Sequence, residues 1–227
     1  MKFTYYGHSC FLVEINNKRI LFDPFITPNE LAKDININDI KCDYIAISHG
    51  HADHIADVVT IAKNNNSAII VCAYEIYEWL SKQGLKNFRP MNTGGKWNAG
   101  NFTIKCTAAQ HSGGLPDGSY GGNPVGFIVS DGTQSFYYAG DTALTKDMEL
   151  IPLWANLDFA VLPIGDNFTM DVADAIIASD LVKTNKIIGV HYNTFPYIVI
   201  NEKEAVEQFK AKGKELILIK IGESIEL

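Results

Sequence analysis

Three histidines and an aspartate crowd into positions 49 to 54 of the run Ser48-His-Gly-His-Ala-Asp-His54. The preceding Asp43-Tyr-Ile-Ala-Ile47 has the β-branched, apolar character of a buried strand, and the following Ile55-Ala-Asp-Val-Val-Thr-Ile-Ala62 has apolar positions that suit a helix. The run is therefore predicted to be a strand-to-helix loop. Side chains in an extended segment repeat direction every two residues, so His49 and His51 point the same way and can grip one cation. Asp53 and His54, around the corner in or beside the first helical turn, can grip a second. Chance rarely gathers three of a chain's six histidines into six positions.

Other ligand-type residues follow apolar, strand-like runs. His111 comes after Phe102-Thr-Ile-Lys-Cys-Thr-Ala-Ala109, His191 after Ile187-Ile-Gly-Val190, and Asp141 closes Ser135-Phe-Tyr-Tyr-Ala-Gly-Asp141. Strand ends are where α/β folds gather their chemistry. One such residue alone would more often be structural; three beside the first cluster point to a shared site.

The ordered set, Ser-His-x-His-x-Asp-His at 48 to 54, then His111, Gly140-Asp141 and His191, resembles the five-part metal signature of the metallo-β-lactamase superfamily across nearly the whole chain. Tyr6-Gly-His-Ser-Cys-Phe11, Pro163-Ile-Gly-Asp-Asn-Phe-Thr-Met170 and His191-Tyr-Asn-Thr-Phe-Pro196 resemble its UPF0173 group of metal-dependent hydrolases. Members of that group typically carry Gly-Pro after the methionine. Here Asp171-Val172 adds a carboxylate near the expected mouth of the site.

The resemblance implies an α/β (α+β) fold, a four-layer αββα sandwich of two mixed sheets flanked by helices, with the metals at one edge. Position by position it implies that His49, His51 and His111 bind one metal, that Asp53, His54 and His191 bind a second, and that Asp141 bridges them. A nitrogen-rich set with carboxylates suits two divalent ions, Zn2+ first, with Mn2+, Fe2+ or Ni2+ as alternatives. Two dications roughly 3.5 to 4 Å apart that share a water lower its pKa from about 16 toward neutrality, and the hydroxide can attack a carbonyl carbon or a phosphorus.

Asp53 is the group best placed to hold the nucleophile's proton and pass it to a leaving group. His8, outside the metal set, reads either as an outer partner or proton donor near the metals or as a hydrogen-bonded turn residue. Asp23, ending Arg19-Ile-Leu-Phe-Asp23, is expected to support the metal loop rather than to ligate. The glycine-dense segment from Ser112 to Asn123 is a candidate substrate-gating loop. Asp166, Asn167, Tyr192 and Asn193 are candidates for substrate contact, or else turn residues.

At 227 residues and 47% hydrophobic, the chain can bury a core without help from disulfides, and one domain over residues 1–227 is expected. Cys10, Cys42, Cys72 and Cys106 read as buried free thiols. The N-terminal residues run straight into a strand pattern, which predicts no secretory leader and a cytoplasmic protein without a membrane span. A net charge of −7 argues against a nucleic-acid partner; a homo-oligomer stays open.

The leading expectation is a hydrolase of a small-molecule ester, lactone, amide or phosphoester. One alternative is a ribonuclease or phosphodiesterase of the transfer-RNA 3′-processing type, which shares the histidine run. Another is a non-hydrolytic redox or binding protein, although diiron relatives carry a glutamate where His51 stands.

Further elements are predicted as strands at 68–71, 102–109, 125–130, 135–139, 159–162 and 215–220. Helices are predicted near 74–82, 144–153, 171–183 and 203–212, the last with Ala205, Val206 and Phe209 inward, while residues 25 to 40 read as irregular.

Overall fold

In the computed structural model, which describes residues 1–227, period-two burial sets the first strand. In β1 (Lys2–Gly7), Phe3 and Tyr5 are buried and Lys2 faces solvent. β2 (Cys10–Ile15) and β3 (Lys18–Phe22) continue as an antiparallel meander. From there β4 (Tyr44–Ala46), β5 (Ile69–Cys72) and β6 (Phe88–Pro90) add in parallel. Between them run α1 (Ala52–Ile55), α2 (Val58–Asn64) and α3 (Tyr74–Ser81).

The second half repeats this plan. β7 (Lys96–Asn98), β8 (Thr103–Ala108), β9 (Val125–Ser130) and β10 (Ser135–Tyr138) pair antiparallel. β11 (Phe159–Pro163), β12 (Lys186–Val190) and β13 (Glu215–Ile217) follow in parallel, connected by α4 (Val172–Leu181) and α5 (Glu202–Ala211). β14 (Ser224–Glu226) crosses back to pair with β1, so the sheets run β14-β1-β2-β3-β4-β5-β6 and β13-β12-β11-β10-β9-β8-β7.

Aromatic rings fill the space between the sheets. Phe3 stacks on Phe11 at 4.7 Å and Phe11 on Phe22 at 4.6 Å, and Phe22 meets Tyr138 of the second sheet edge to face at 5.6 Å. Outside, α2 and α3 bury Val58, Ile61, Ile76 and Leu80 over the first sheet, while α4 and α5 bury Ala175, Ala178, Ala205 and Phe209 over the second. This is the αββα sandwich anticipated from the resemblance. The four cysteines are free and buried. No helix is long and apolar enough to cross a membrane.

Local departures from expectation have local causes. The 144–153 segment is a 3-10 helix, Lys146–Leu153, rather than an α-helix, because Pro152 inside it offers no N–H and crowds the preceding turn. The helix after the histidine run breaks into α1 and α2 at Ala56–Asp57. There the Asp57 carboxylate accepts the Ile26 and Thr27 N–H groups at 2.6 and 2.8 Å and ties down the connection that read as irregular, which itself holds two 3-10 turns. In α5 Val206 is exposed, so only Ala205 and Phe209 face inward. The strand predicted at 215–220 ends at Ile217, and β6, β7 and β14 escaped prediction. Each has three residues and lies at a sheet end, where pairing partners rather than pattern decide the conformation.

Asp171 caps α4: its side chain accepts the Asp174 N–H at 2.7 Å, so the extra carboxylate serves the helix and not the mouth of the site. Replacing it by alanine is expected to cost about 1 kcal/mol of stability. A lowered urea midpoint with unchanged slope, and an unchanged metal content, is the outcome to look for in equilibrium unfolding and metal analysis of Asp171→Ala.

Candidate metal centre

Strand direction assembles the site. β1 and β8 run the same way as the parallel strands of their sheets, so the chain leaves β1, β3, β4, β8, β10 and β12 at one edge of the sandwich. Those exits deliver His8, Asp23, the 48–54 loop, His111, Asp141 and His191 respectively. Several turn sharply through the left-handed region: His8 at φ 56°, Asp23 at 41°, Gly140 at 64° and His191 at 57°. Such angles are costly for residues with a Cβ and are kept only where the surroundings enforce them. At Gly140 a Cβ would also lie 2.7 Å from the Val125 carbonyl oxygen and 3.0 Å from Ser48 Cβ, so glycine is required on two counts.

The structure brings all the sequence-predicted ligand residues together. His49, His51 and His111 form one group whose ligand atoms lie within 4.8 Å of one another, and Asp53, His54 and His191, with His8, form a second. Asp141 Oδ2 stands between the two, 2.9 Å from His191 Nε2, 3.2 Å from His54 Nε2, 3.7 Å from His111 Nε2 and 3.9 Å from His49 Nε2.

Asp23 lies behind this arrangement. Its fully buried carboxylate accepts four hydrogen bonds: Ser48 N–H at 2.7 Å on Oδ1, and Ser48 Oγ–H at 2.6 Å, Tyr138 O–H at 2.6 Å and His54 Nδ1–H at 2.8 Å on Oδ2. With its proton given to Asp23, Ser48 Oγ must accept from His49 Nδ1, 3.0 Å away. His54 and His49 thus spend the Nδ1 proton outward; His54 turns a bare Nε2 toward Asp141, and His49 Nε2 lies 2.9 Å from His51 Nδ1 and 3.9 Å from Asp141 Oδ2. Burial pushes the His49 imidazole well below its usual range, which keeps it neutral.

Two acceptors facing each other repel unless a cation lies between them. His54 Nε2 and Asp141 Oδ1 are buried without a hydrogen-bond partner, and the 3.2 Å approach of His54 to Asp141 lacks hydrogen-bonding geometry. The donor set, the orphaned atoms and the tautomers all fit a pair of divalent cations. Without them a proton is the available substitute. Burial lowers the His54 pKa, but the Asp141, Asp23 and Asp53 carboxylates outweigh burial and raise it well above the usual histidine range. Burial likewise works against the charged form of Asp141, and His191 and His54 overcome it, holding the carboxyl well below its usual range.

His8 sits at a left-handed turn beside the second group. Its Nε2–H reaches Asp53 Oδ2 at 3.1 Å, while Nδ1 faces Thr194 Oγ1 at 3.0 Å, and burial pushes its pKa down to about 4. Burial would raise the Asp53 pKa, yet His54 and His8 hold the carboxyl below its usual range. His8 does not line the cavity over the centre.

That cavity, about 340 Å3, is lined by His51, Asp53, His111, Ser112, Asp141, Phe168, His191 and Phe195. Of the residues expected at the substrate, Asp166, Asn167, Tyr192 and Asn193 are not among them. The first two form a tight left-handed turn, and Asn193 bonds Glu202 and the Ile200 N–H. In the sequence Phe168 and Phe195 stand out only inside the segments that carry the resemblance, and Ser112 only as the start of the candidate gating loop; none is given a role of its own there. In the 112–123 loop the glycines serve close approach: a Cβ on Gly113 would fall 2.0 Å from the Gly122 carbonyl oxygen.

Comparison with known proteins gives a concordant family. The model described as "Beta-lactamase superfamily domain" matches residues 18–192. A UPF0173 metal-dependent hydrolase of Flavobacterium johnsoniae is 53% identical over 227 residues, covering 100% of both chains. Another from Christiangramia forsetii is 51% identical, again over 100% of both. Among solved structures, Igni18, a metallo hydrolase from the archaeon Ignicoccus hospitalis, superposes with a TM-score of 0.88 at 32% identity, covering 100% of this chain and 98% of that one.

Asp23→Asn would set an amide N–H2 or a weakened acceptor against three donors, and metal affinity is expected to fall about 10- to 100-fold. Tyr138→Phe, which removes one donor and leaves the tautomers intact, is expected to lower it less; competition with a chromogenic chelator reads both. Because the Asp141, Asp23 and Asp53 carboxylates favour the protonated form of His54, metal uptake there is expected to release protons at neutral pH. Calorimetric titration in buffers of different ionisation enthalpy measures that release; zero protons at pH 7 would contradict the electrostatic picture.

Proposed function

The chain belongs to the β-lactamase superfamily domain family and, within it, to the UPF0173 metal-dependent hydrolases, and on that premise we propose that it is a dinuclear, single-domain hydrolase of small molecules. The observation that carries this reading is the position of Asp141 Oδ2, within 4 Å of ring nitrogens from both histidine groups. A carboxylate so placed suits two ions held close together, with His49, His51 and His111 on one, Asp53, His54 and His191 on the other, and Asp141 shared. Zn2+ matches the nitrogen-rich set best, and Mn2+, Fe2+ and Ni2+ also suit it.

When bound, such a pair lowers the pKa of a water and polarises the bond under attack. The chain supplies the rest. Asp53, partly exposed in the cavity wall, holds a proton from the attacking water on its carboxylate and hands it to the leaving group. His8 fixes the Asp53 carboxylate by its hydrogen bond, and Thr194 fixes His8, so His8 acts on the reaction only through Asp53. The cavity admits an ester, lactone, amide or phosphoester of modest size.

Protein stripped by chelation and titrated with Zn2+ is expected to bind two ions per chain; a plateau near zero would remove the mechanism. With the metals restored, His51→Ala and Asp53→Ala are each expected to lose at least about a hundredfold in kcat/KM on a generic ester or phosphodiester. Activity that survives both changes would place the catalyst elsewhere.

A further inference from the structure

Apart from the metal-ligand residues, the cavity wall consists of Ser112 and two phenylalanines, Phe168 and Phe195. Phe168 is 51% exposed and meets the edge of Tyr197, itself 73% exposed, at a centroid distance of 6.2 Å. Phe195 is braced on the other side by Phe25 at 6.1 Å and by His8 at 5.3 Å. Exposed rings gathered at the mouth of a catalytic cavity serve recognition rather than folding. The backbone is bent to present them: Asp166 and Asn167 both adopt left-handed angles, φ 64° and 55°, immediately before Phe168.

Charge gives an independent indication. The chain has 19 lysines and arginines, yet the stretches 3–17, 20–32, 42–62, 106–145, 147–182 and 187–202 contain none. Every residue at the metal edge comes from one of these stretches, and the cavity lining accordingly holds no lysine or arginine. The turn that carries Phe168 contains Asp166 instead. Sites that hold an anionic tail away from the metals do so with guanidinium or ammonium groups, and the wall supplies none.

We propose that the substrate is an uncharged acyl compound, an ester, thioester or lactone, whose apolar substituent lodges between Phe168 and Phe195. This rests on the hydrolase reading above and narrows it. In the reaction the water oxygen bonds to the acyl carbon and the bond from that carbon to the leaving oxygen or sulfur breaks. One water proton ends on the leaving group, and the other departs as the carboxylic acid ionises. The carboxylate product then meets no fixed side-chain cation in the cavity wall.

Four substrates sharing one chromophore test this with the Zn2+-loaded enzyme: p-nitrophenyl butyrate, phenylacetate and hemisuccinate, and bis(p-nitrophenyl) phosphate. The butyrate and phenylacetate are expected to exceed the anionic hemisuccinate at least about tenfold in kcat/KM, mainly through KM. After division by the uncatalysed rate, the phosphodiester is expected to show the smallest enhancement. Phe168→Ala is expected to raise KM for the phenylacetate about tenfold more than for the butyrate. Phe168→Lys is expected to close most of the gap between phenylacetate and hemisuccinate. Tyr197→Ala, at a residue too exposed to endanger folding, is expected to shift KM in the direction of Phe168→Ala.

A hemisuccinate or phosphodiester preference, or a phenylacetate-to-hemisuccinate ratio that none of the three variants moves, would overturn the inference while leaving the hydrolase standing. No turnover of any of the four with two ions bound would overturn the hydrolase reading and this inference with it.

Discussion

One buried carboxylate holds the centre in order. Asp23 leaves the first sheet at the end of β3 and is reached by a tyrosine hydroxyl from the second sheet, 115 residues away in sequence, by Ser48 from the loop after β4 and by His54 from α1. An unpaired carboxylate at that depth would be prohibitively expensive; four short hydrogen bonds offset its desolvation. The return is directional. With the proton on Nδ1 fixed in His54, and in His49 through Ser48, both rings aim lone pairs at the space that Asp141 also faces. Ligand identity alone would not guarantee this, since an imidazole in the other tautomer would present an N–H there.

The same constraint explains why the ligand residues come from strand exits. A strand anchored in two packed sheets fixes the position of its last residue closely, and a left-handed turn there changes the chain's direction within one residue. His8, Asp23 and His191 all use this device, each immediately after a buried strand. The backbone cost falls on residues whose side chains are held by hydrogen bonds or by partners in the centre, so the interactions of the site and the strain of its scaffold balance at the same positions.

This balance also explains what could be read in the sequence. The histidine run was legible because its spacing alone forces several ligand groups onto one short turn, and the order of the later His and Asp residues extended it along the chain. Asp23 was legible as a supporting residue through the resemblance, since an aspartate at such a strand end often supports the metal loop in the superfamily. Tyr138 was not. In Ser135-Phe-Tyr-Tyr138 it looks like any core aromatic, and its ring does pack in the core while only its hydroxyl serves the site. Phe168 was hidden for the opposite reason: its neighbours Asp166 and Asn167 are the polar, chemically suggestive residues, yet their task is to make the turn that presents an apolar one. Asp171 misled in the same way, since a helix start and a substrate mouth place the same demand for a carboxylate on the sequence.

The distribution of positive charge connects the metal centre with the choice of substrate. Two divalent ions would face Asp53 and Asp141 directly and Asp23 behind them, so the centre as a whole would keep a positive excess within a largely buried setting. A lysine or arginine nearby would be repelled by it through a medium of low dielectric constant, weakening the binding of both ions. Exclusion of fixed cations from every stretch that reaches this edge is therefore what metal binding itself favours. That exclusion also removes the groups an enzyme uses to clamp phosphates and carboxylate tails, and leaves aromatic surface as the remaining means of holding a substrate. On the proposed reading, the exclusion of side-chain cations leaves any selection beyond the metals themselves to Phe168 and Phe195.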